Sequence, residues 1–332
     1  MAEDLTAAVA RAQDLLLHAL FDDARRGTPP AFVLLTGAAG AGSGRAIGRL
    51  RAEHGGGLVP ISIEDLEAFH PRYLDAQFRM SPVGQRELSQ FAASGLQASI
   101  SHARQNAYSL LLEGTFRHPD TALGVARRFA ESGYDVRVVA VTARDDHSLL
   151  TATSHGLRRV RERRSAEFIT PAENEQSMGD VNALIVAAAD SPVVDRVSIL
   201  DQRGDIAFDA ERSPSGMLPG AFAALSTAQT EPMTALEAAQ WLSELRHMTE
   251  YARSLRSIPA TALDSLIELH KMAIRQVVPD LPVPAGSEVA RIQHAKLADD
   301  LAALERMRTR PETVDAAAPT VAPTQPGPSI SR

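Results

Sequence analysis

The stretch Gly37-Ala38-Ala39-Gly40-Ala41-Gly42-Ser43-Gly44-Arg45 is where the chain is best suited to bind a phosphate. A compact apolar run, Ala31-Phe32-Val33-Leu34-Leu35-Thr36, leads into it, and Ala46, Ile47, Leu50 and Arg51 suit a helix behind it. Strand, glycine turn and helix form the entry to a phosphate-binding α/β domain, where backbone N–H groups and a helix N-terminus cradle the anion. The Walker A pattern GxxxxGK[ST] adds a lysine for the outer phosphates and a hydroxyl for Mg²⁺. Gly37 and Gly42 stand at the right spacing, but the lysine position is Ser43, the hydroxyl position is Gly44, and Arg45 comes one residue late. The loop keeps its shape and loses a cation and a metal ligand. Losing one positioned electrostatic stabiliser costs roughly 100- to 1,000-fold in rate, so two losses predict weak phosphoryl transfer unless other groups substitute. Taken alone, the loop is also readable as a plain glycine-rich turn.

Two further segments end apolar runs with carboxylates. Ile61-Ser62-Ile63-Glu64 continues to His70-Pro71, and Leu111-Leu112-Glu113 continues through Gly114-Thr115-Phe116-Arg117. In an open α/β sheet both strand ends face the ligand cleft. A carboxylate there takes a proton from a substrate hydroxyl or grips sugar hydroxyls. The alternatives are a surface carboxylate at Glu113 and, at Glu64, an acidic residue favoured at a helix start by the helix dipole. His70 with Pro71 reads as orienting a helix. Arg158, Arg159, Arg161, Arg163 and Arg164 form a basic cluster that suits a phosphate clamp or a solvated helix face. No aromatic residues interleave with it, so nucleic acid is not an expected partner. The ten histidines show no metal-site spacing, and no metal is assigned to a residue.

These groups must be carried on a frame. Leu5, Val9, Ala12, Leu16 and Leu20 recur at helical spacing. Strands are expected at 31–36, 57–63, 108–112, 135–141 and 196–200, with helices opening at Ser81-Pro82 and spanning 119–132. This alternation predicts an α/β fold with a mostly parallel sheet and helices on both faces. Beyond Ser213-Pro214-Ser215-Gly216 the pattern turns helical, with a capping box at Thr234-Ala235-Leu236-Glu237 and helices over 261–278 and 287–307. Trp241 and Met248 read as core. The expected organisation is an N-terminal helix (1–28), an α/β domain (29–212), a helical appendage (213–309) and a disordered proline-rich tail (310–332).

Composition sets the outer bounds. The 332 residues carry a formal net charge of −7 and no cysteine, which excludes disulfides, thiol nucleophiles and cysteine-ligated metals. The acidic start Met1-Ala2-Glu3-Asp4 is unlike a signal peptide, and no apolar stretch is long enough for a membrane span. A cytoplasmic protein is expected, without a membrane partner.

The glycine loop, the segment ending His70-Pro71, and Glu113-Gly114-Thr115 with Arg117 together resemble the zeta toxin family over roughly residues 29–212. Those are P-loop kinases of toxin–antitoxin systems, the best-known of which phosphorylate UDP-N-acetylglucosamine with ATP. The resemblance implies a P-loop kinase-like fold, ATP and Mg²⁺, a sugar-nucleotide substrate and an antitoxin partner. It implies nucleotide binding by Gly37, Gly40, Gly42, Ser43, Gly44 and Arg45, and substrate binding by Glu113, Thr115 and Arg117. The family's catalytic aspartate corresponds to Glu64, one methylene longer, and the preceding family aspartate to Ser62. The two lid arginines fall by ungapped alignment at His155 and at Glu167 or Phe168, while Arg158, Arg159, Arg161, Arg163 and Arg164 are close by and could serve from a shifted register, Arg158 and Arg159 being the two assigned. Two classes stay open: a sugar-nucleotide kinase with weakened activity, and a degenerate nucleotide- or partner-binding module.

Overall fold

The computed structural model describes residues 2–162, 166–214, 216, 218–284 and 286–309, with side chains from residue 7. The proline-rich tail, Arg163 and Arg164 lie outside the described residues.

A six-stranded sheet runs in the order β2-β3-β1-β4-β5-β6. The strands are β1 (Ala31–Gly37), β2 (Val59–Ser62), β3 (Leu110–Glu113), β4 (Asp135–Val141), β5 (Arg196–Leu200) and β6 (Ile206–Glu211). The first five are parallel, and β6 pairs antiparallel with β5. The near-continuous apolar run of β1 suits its place between β3 and β4, covered on both faces. Its residues alternate between two cores. Phe32 and Leu34 face a cluster with Leu16, Phe91, Phe129, Ile185 and Leu225; Val33 and Leu35 face one with Leu50, Leu58, Leu111 and Val139. The chain leaves β1 for β2 and β3 on one side, then passes back to β4 and β5 on the other. The reversal lies at the C-terminal end of β1, where open α/β sheets bind ligands.

The helices are α1 (Ala2–Phe21), α2 (Ser43–Glu53), α3 (Ile63–Ala68), α4 (Ala76–Met80), α5 (Pro82–Asn106), α6 (Pro119–Ala130), α7 (Asp145–Arg161), α8 (Pro171–Asp190), α9 (Ala221–Thr230), α10 (Ala235–Ser254), α11 (Ala260–Met272) and α12 (Glu288–Thr309). Ser81 caps α5 and Thr234 with Glu237 forms the expected capping box on α10. The single helix expected over 261–278 is instead α11, a π turn over Ala273–Val277 and a 3-10 turn over Val278–Asp280. Proline 279 lacks an N–H and cannot continue α-helical pairing.

A third core joins the appendage to α7. Leu149, Leu150 and Leu157 of α7 pack with Trp241, Leu245, Leu266 and Leu304. Helix α7 therefore serves two neighbours, the sheet end on one side and α10–α11 on the other. At its start, Asp146 is fully buried and paired with Arg144, which also holds Asp280, and Trp241 Nε1 donates to the Asp146 carbonyl. No helix among the described residues is long and apolar enough to cross a membrane.

Candidate functional site at the C-terminal end of strand β1

The glycine loop is shaped by two left-handed residues, Gly40 at φ +80° and Gly42 at φ +95°. Any Cβ there would be strained, because L side chains clash in that region. A Cβ on Gly40 would stand 2.8 Å from Ser148 O and 2.9 Å from Ala152 N. One on Gly42 would stand 2.9 Å from Gln202 O. The loop is thus wedged between α7 and the turn after β5. Ser148, fully buried, lies with its Oγ 2.7 Å from Ala39 O and 2.8 Å from Asn174 Oδ1. Asn174 in turn donates to the Asp145 carboxylate. Burial holds the Asp145 carboxyl above its ordinary range, against the lowering effect of the Asn174 bond.

Helix α2 starts at Ser43 with no acidic residue in its first turn, leaving its N-terminal dipole available to an anion. Gly44 has no non-local atom within 4 Å of where a Cβ would stand, so the hydroxyl position is open space. Arg45 does not fold back over the loop: its Nη1 donates to Gln202 O at 3.3 Å. The loop fits the phosphates of a nucleotide. The Mg²⁺ position does not fit, since residue 44 has no side-chain oxygen to offer, and the described residues contain no group of three or more His, Cys, Asp or Glu able to hold a metal.

The opposite wall is acidic. Glu113 ends β3 in register with Leu35 of β1 and Ser62 of β2, and Gly114 N–H donates to Leu35 O at 3.1 Å. Glu64, in the first turn of α3, is exposed on the neighbouring strand end. Ser62, at the family's aspartate position, caps α3: its Oγ accepts from Asp65 N–H at 3.1 Å and donates to Asp65 Oδ2 at 2.7 Å. Burial first, then the charges of Glu167 and Glu64, raise the carboxyl of Glu67. Glu167 thereby lies within electrostatic reach of α3. Thr115 and Arg117 are exposed beyond Glu113, with Arg117 exerting its charge on Glu173 of α8.

Ser148, Thr151 and Ala152 of α7 touch the loop; His155 and Arg158 follow Thr151 at spacings of four and seven, and Arg159 follows Ala152 at seven. Arg158 lines a cavity of about 260 Å³ with Ser154, Glu244, His247 and Tyr251 of α7 and α10, and a neighbouring one with Thr151 and His155. Phe168 seats its ring against Gly156 and packs with the third core, so it is a structural residue. His70 is buried, stacked on Phe78, and accepts the Arg72 N–H on Nδ1, in keeping with an orienting role.

Ser148, Asn174 and Gln202 escape sequence reasoning. Ser148 meets its loop partner across 109 positions, and a lone serine in a helix carries no local signal of that contact. For Asn174 a faint signal exists: Thr170-Pro171-Ala172-Glu173 is a capping box that fixes where α8 starts.

The sequence profile of the family described as zeta toxin matches residues 17–212. A curated relative named toxin PezT, from Streptococcus pneumoniae serotype 4, is 28% identical over 123 residues, covering 37% of this chain and 48% of that protein. The match therefore spans about half the length of that relative. A solved structure from the PezAT chromosomal toxin–antitoxin system of Streptococcus pneumoniae superposes with a TM-score of 0.63 at 17% identity, covering 74% of this chain and 96% of that one. That likeness is one of fold, and the fold is P-loop kinase-like. With more than half of the chain inside the family profile, the protein belongs to the zeta toxin family.

Proposed function

We propose that the chain binds ATP on its glycine loop and transfers phosphate, at reduced rate, to a hydroxyl of a sugar nucleotide of the UDP-N-acetylglucosamine kind. The observation carrying this reading is the juxtaposition at one sheet end: an anion cradle at β1–α2 beside the carboxylates that close β2 and β3. Glu64 accepts the proton of the acceptor hydroxyl, and Glu113 and Thr115 hold the sugar. Arg158 and Arg159, both on α7, are the arginines offered to the phosphates. The transfer itself is mostly positioning and charge stabilisation, so the open positions at Ser43 and Gly44 cost rate more than binding. An antitoxin is the proposed partner, by analogy with the system from which the PezAT fold neighbour comes.

A second reading has a specific observation behind it. Arg45 is engaged with Gln202 O, so it does not stand in for the missing lysine. That favours a nucleotide-binding module without efficient chemistry. Incubation with ATP, Mg²⁺ and UDP-N-acetylglucosamine tests both. A phosphorylated sugar nucleotide that disappears in Glu64→Ala is the expected result. Tight binding of both nucleotides with no product would establish the second reading instead.

A further inference from the structure

Helix α7 lies inside the matched family region, yet its apolar face does not pack on the sheet. Its buried leucines, Leu149, Leu150 and Leu157, all belong to the third core, and among the described residues none belongs to either core flanking the sheet. An amphipathic helix takes its position from the surface that buries its apolar stripe. For α7 that surface is α10 and α11 of the appendage. Its bonds to the α/β part are polar: Asp145 and Ser148 both engage Asn174, and Ser148 also lies against Ala39 O of the glycine loop.

A polar pin fixes the same helix at its start. Arg144 is the N-cap residue of α7, where a cation faces the positive end of the helix dipole. Two carboxylates hold it there: Asp146, fully buried, and Asp280, which lies 136 positions further on in the 3-10 turn. Asp280 also accepts the Met233 N–H, and Trp241 Nε1 donates to Asp146 O, so three segments of the appendage meet at the first turn of α7. Ser148 follows Arg144 by four residues, and its N–H donates to the Arg144 carbonyl. The pin and the glycine loop thus touch consecutive turns of one helix. Gly40 abuts the backbone of Ser148 and Ala152 so closely that a Cβ has no room, and in such close packing a shift of α7 moves the loop with it.

We propose that the appendage, which lies beyond the matched family region, positions the phosphate-binding loop: it carries α7, and Asp280 is the positioning residue that locks α7 against the loop through Arg144. Arg158 and Arg159 ride on the same helix, so the lock places them as well. In its effect on ATP the inference rests on the nucleotide reading above. The seat of the loop is a property of the chain without ligand.

Hydrogen exchange over residues 37–45 of the full chain, without ligand, measures the seat through the Ala41 and Arg45 N–H groups bonded within the loop. Calorimetric titration with ATP measures its consequence. Asp280→Ala is compared with Leu16→Ala, a fully buried position of α1 in a sheet core, which lowers overall stability away from α7. In Asp280→Ala, loop exchange should be about tenfold faster and ATP binding about tenfold weaker, the scale of one lost charge-assisted hydrogen bond, with neither changed in Leu16→Ala. Trp241→Phe, which removes the Nε1 donor to Asp146 O, should shift both in the same direction and stands in if Asp280→Ala does not fold. Unchanged loop exchange in both pin variants would overturn the inference, as would equal acceleration in Leu16→Ala or faster exchange at unchanged ATP affinity. If the natural sequence binds no ATP, the nucleotide reading fails, and the exchange result alone decides whether the appendage seats the loop.

Discussion

The two walls of the candidate site are built in opposite ways. The glycine loop is rigidly seated, with Gly40 against α7, Gly42 against the turn after β5, and the Ala39 carbonyl beside a fully buried serine. Yet it carries no cation of its own at position 43. The acidic wall carries its charges at Glu64 and Glu113, but Glu64 is exposed and little around it fixes its rotamer. Shape and charge are thus encoded by different residues and can be lost separately. A P-loop can keep the geometry that binds phosphate after losing the groups that accelerate its transfer.

The largest expected effect comes from returning charge to the well-built wall. Ser43→Lys/Gly44→Ser restores both missing groups, and the open space at Gly44 admits a serine side chain without displacement. Phosphoryl transfer to the sugar nucleotide should rise roughly 100- to 1,000-fold, read as kcat in a product-formation assay. No gain would mean that the acidic wall, not the loop, limits the rate. The converse change destroys shape and leaves charge alone. Gly42→Ala forces a Cβ into a left-handed residue 2.9 Å from Gln202 O. Backbone strain of about 1–3 kcal/mol is expected, and ATP affinity should fall by at least tenfold. Wild-type binding by this variant would show that the loop's seat is not what holds the phosphates.

Ser148→Ala probes the same seat from α7. It removes the single hydroxyl proton shared by two acceptors, the Ala39 carbonyl and Asn174 Oδ1, at a fully buried position, for an expected loss of about 1–3 kcal/mol in unfolding free energy by denaturant titration. Glu64→Ala is expected to keep fold and nucleotide binding, measured by calorimetry, while product formation is lost, so the pair contrasts a residue proposed to position with one proposed to react.

How much of this was legible in the sequence follows from how local each signal is. Strand β1, the loop and β4 announce themselves through continuous apolar runs and glycine spacing, and α10 through its capping box. Strand β6 was missed because Ile-Ala-Phe-Asp-Ala-Glu alternates at an edge with much of it exposed. Helix α9 was missed because its small residues give almost no apolar stripe. The arginine cluster was recognised as chemically interesting, but what each arginine meets depends on what packs each side of α7. Leu149, Leu150 and Leu157 mark the apolar face of α7, and nothing in it reports what the polar face meets. The roles of Ser148 and Gln202 are set by contacts between distant segments, and nothing near them in the chain reports it.

The weakest expected effect contrasts the appendage with the loop. His270 on α11 is buried to 1% exposure, and its Nδ1 lies 2.8 Å from Leu266 O. Burial lowers its proton affinity below the ordinary value of 6.5, with the Leu266 carbonyl opposing. Such a histidine stays neutral in the folded chain while the unfolded chain takes up a proton as pH falls below 6.5. The unfolded state then binds more protons, so its contribution to stability is full above that pH and shrinks below it. His54, His70 and His147 are lowered by burial in the same sense, so the acid loss is shared with groups outside the appendage. Trp241 is the sole tryptophan and sits in the core that joins α11 to α7, which lets fluorescence read that core. Its melting temperature should drop between pH 7.5 and 5.5, and the drop should shrink in His270→Gln whatever that variant's stability at pH 7.5. An undiminished drop would move the acid sensitivity out of the appendage and onto the groups around the loop, His147 first among them.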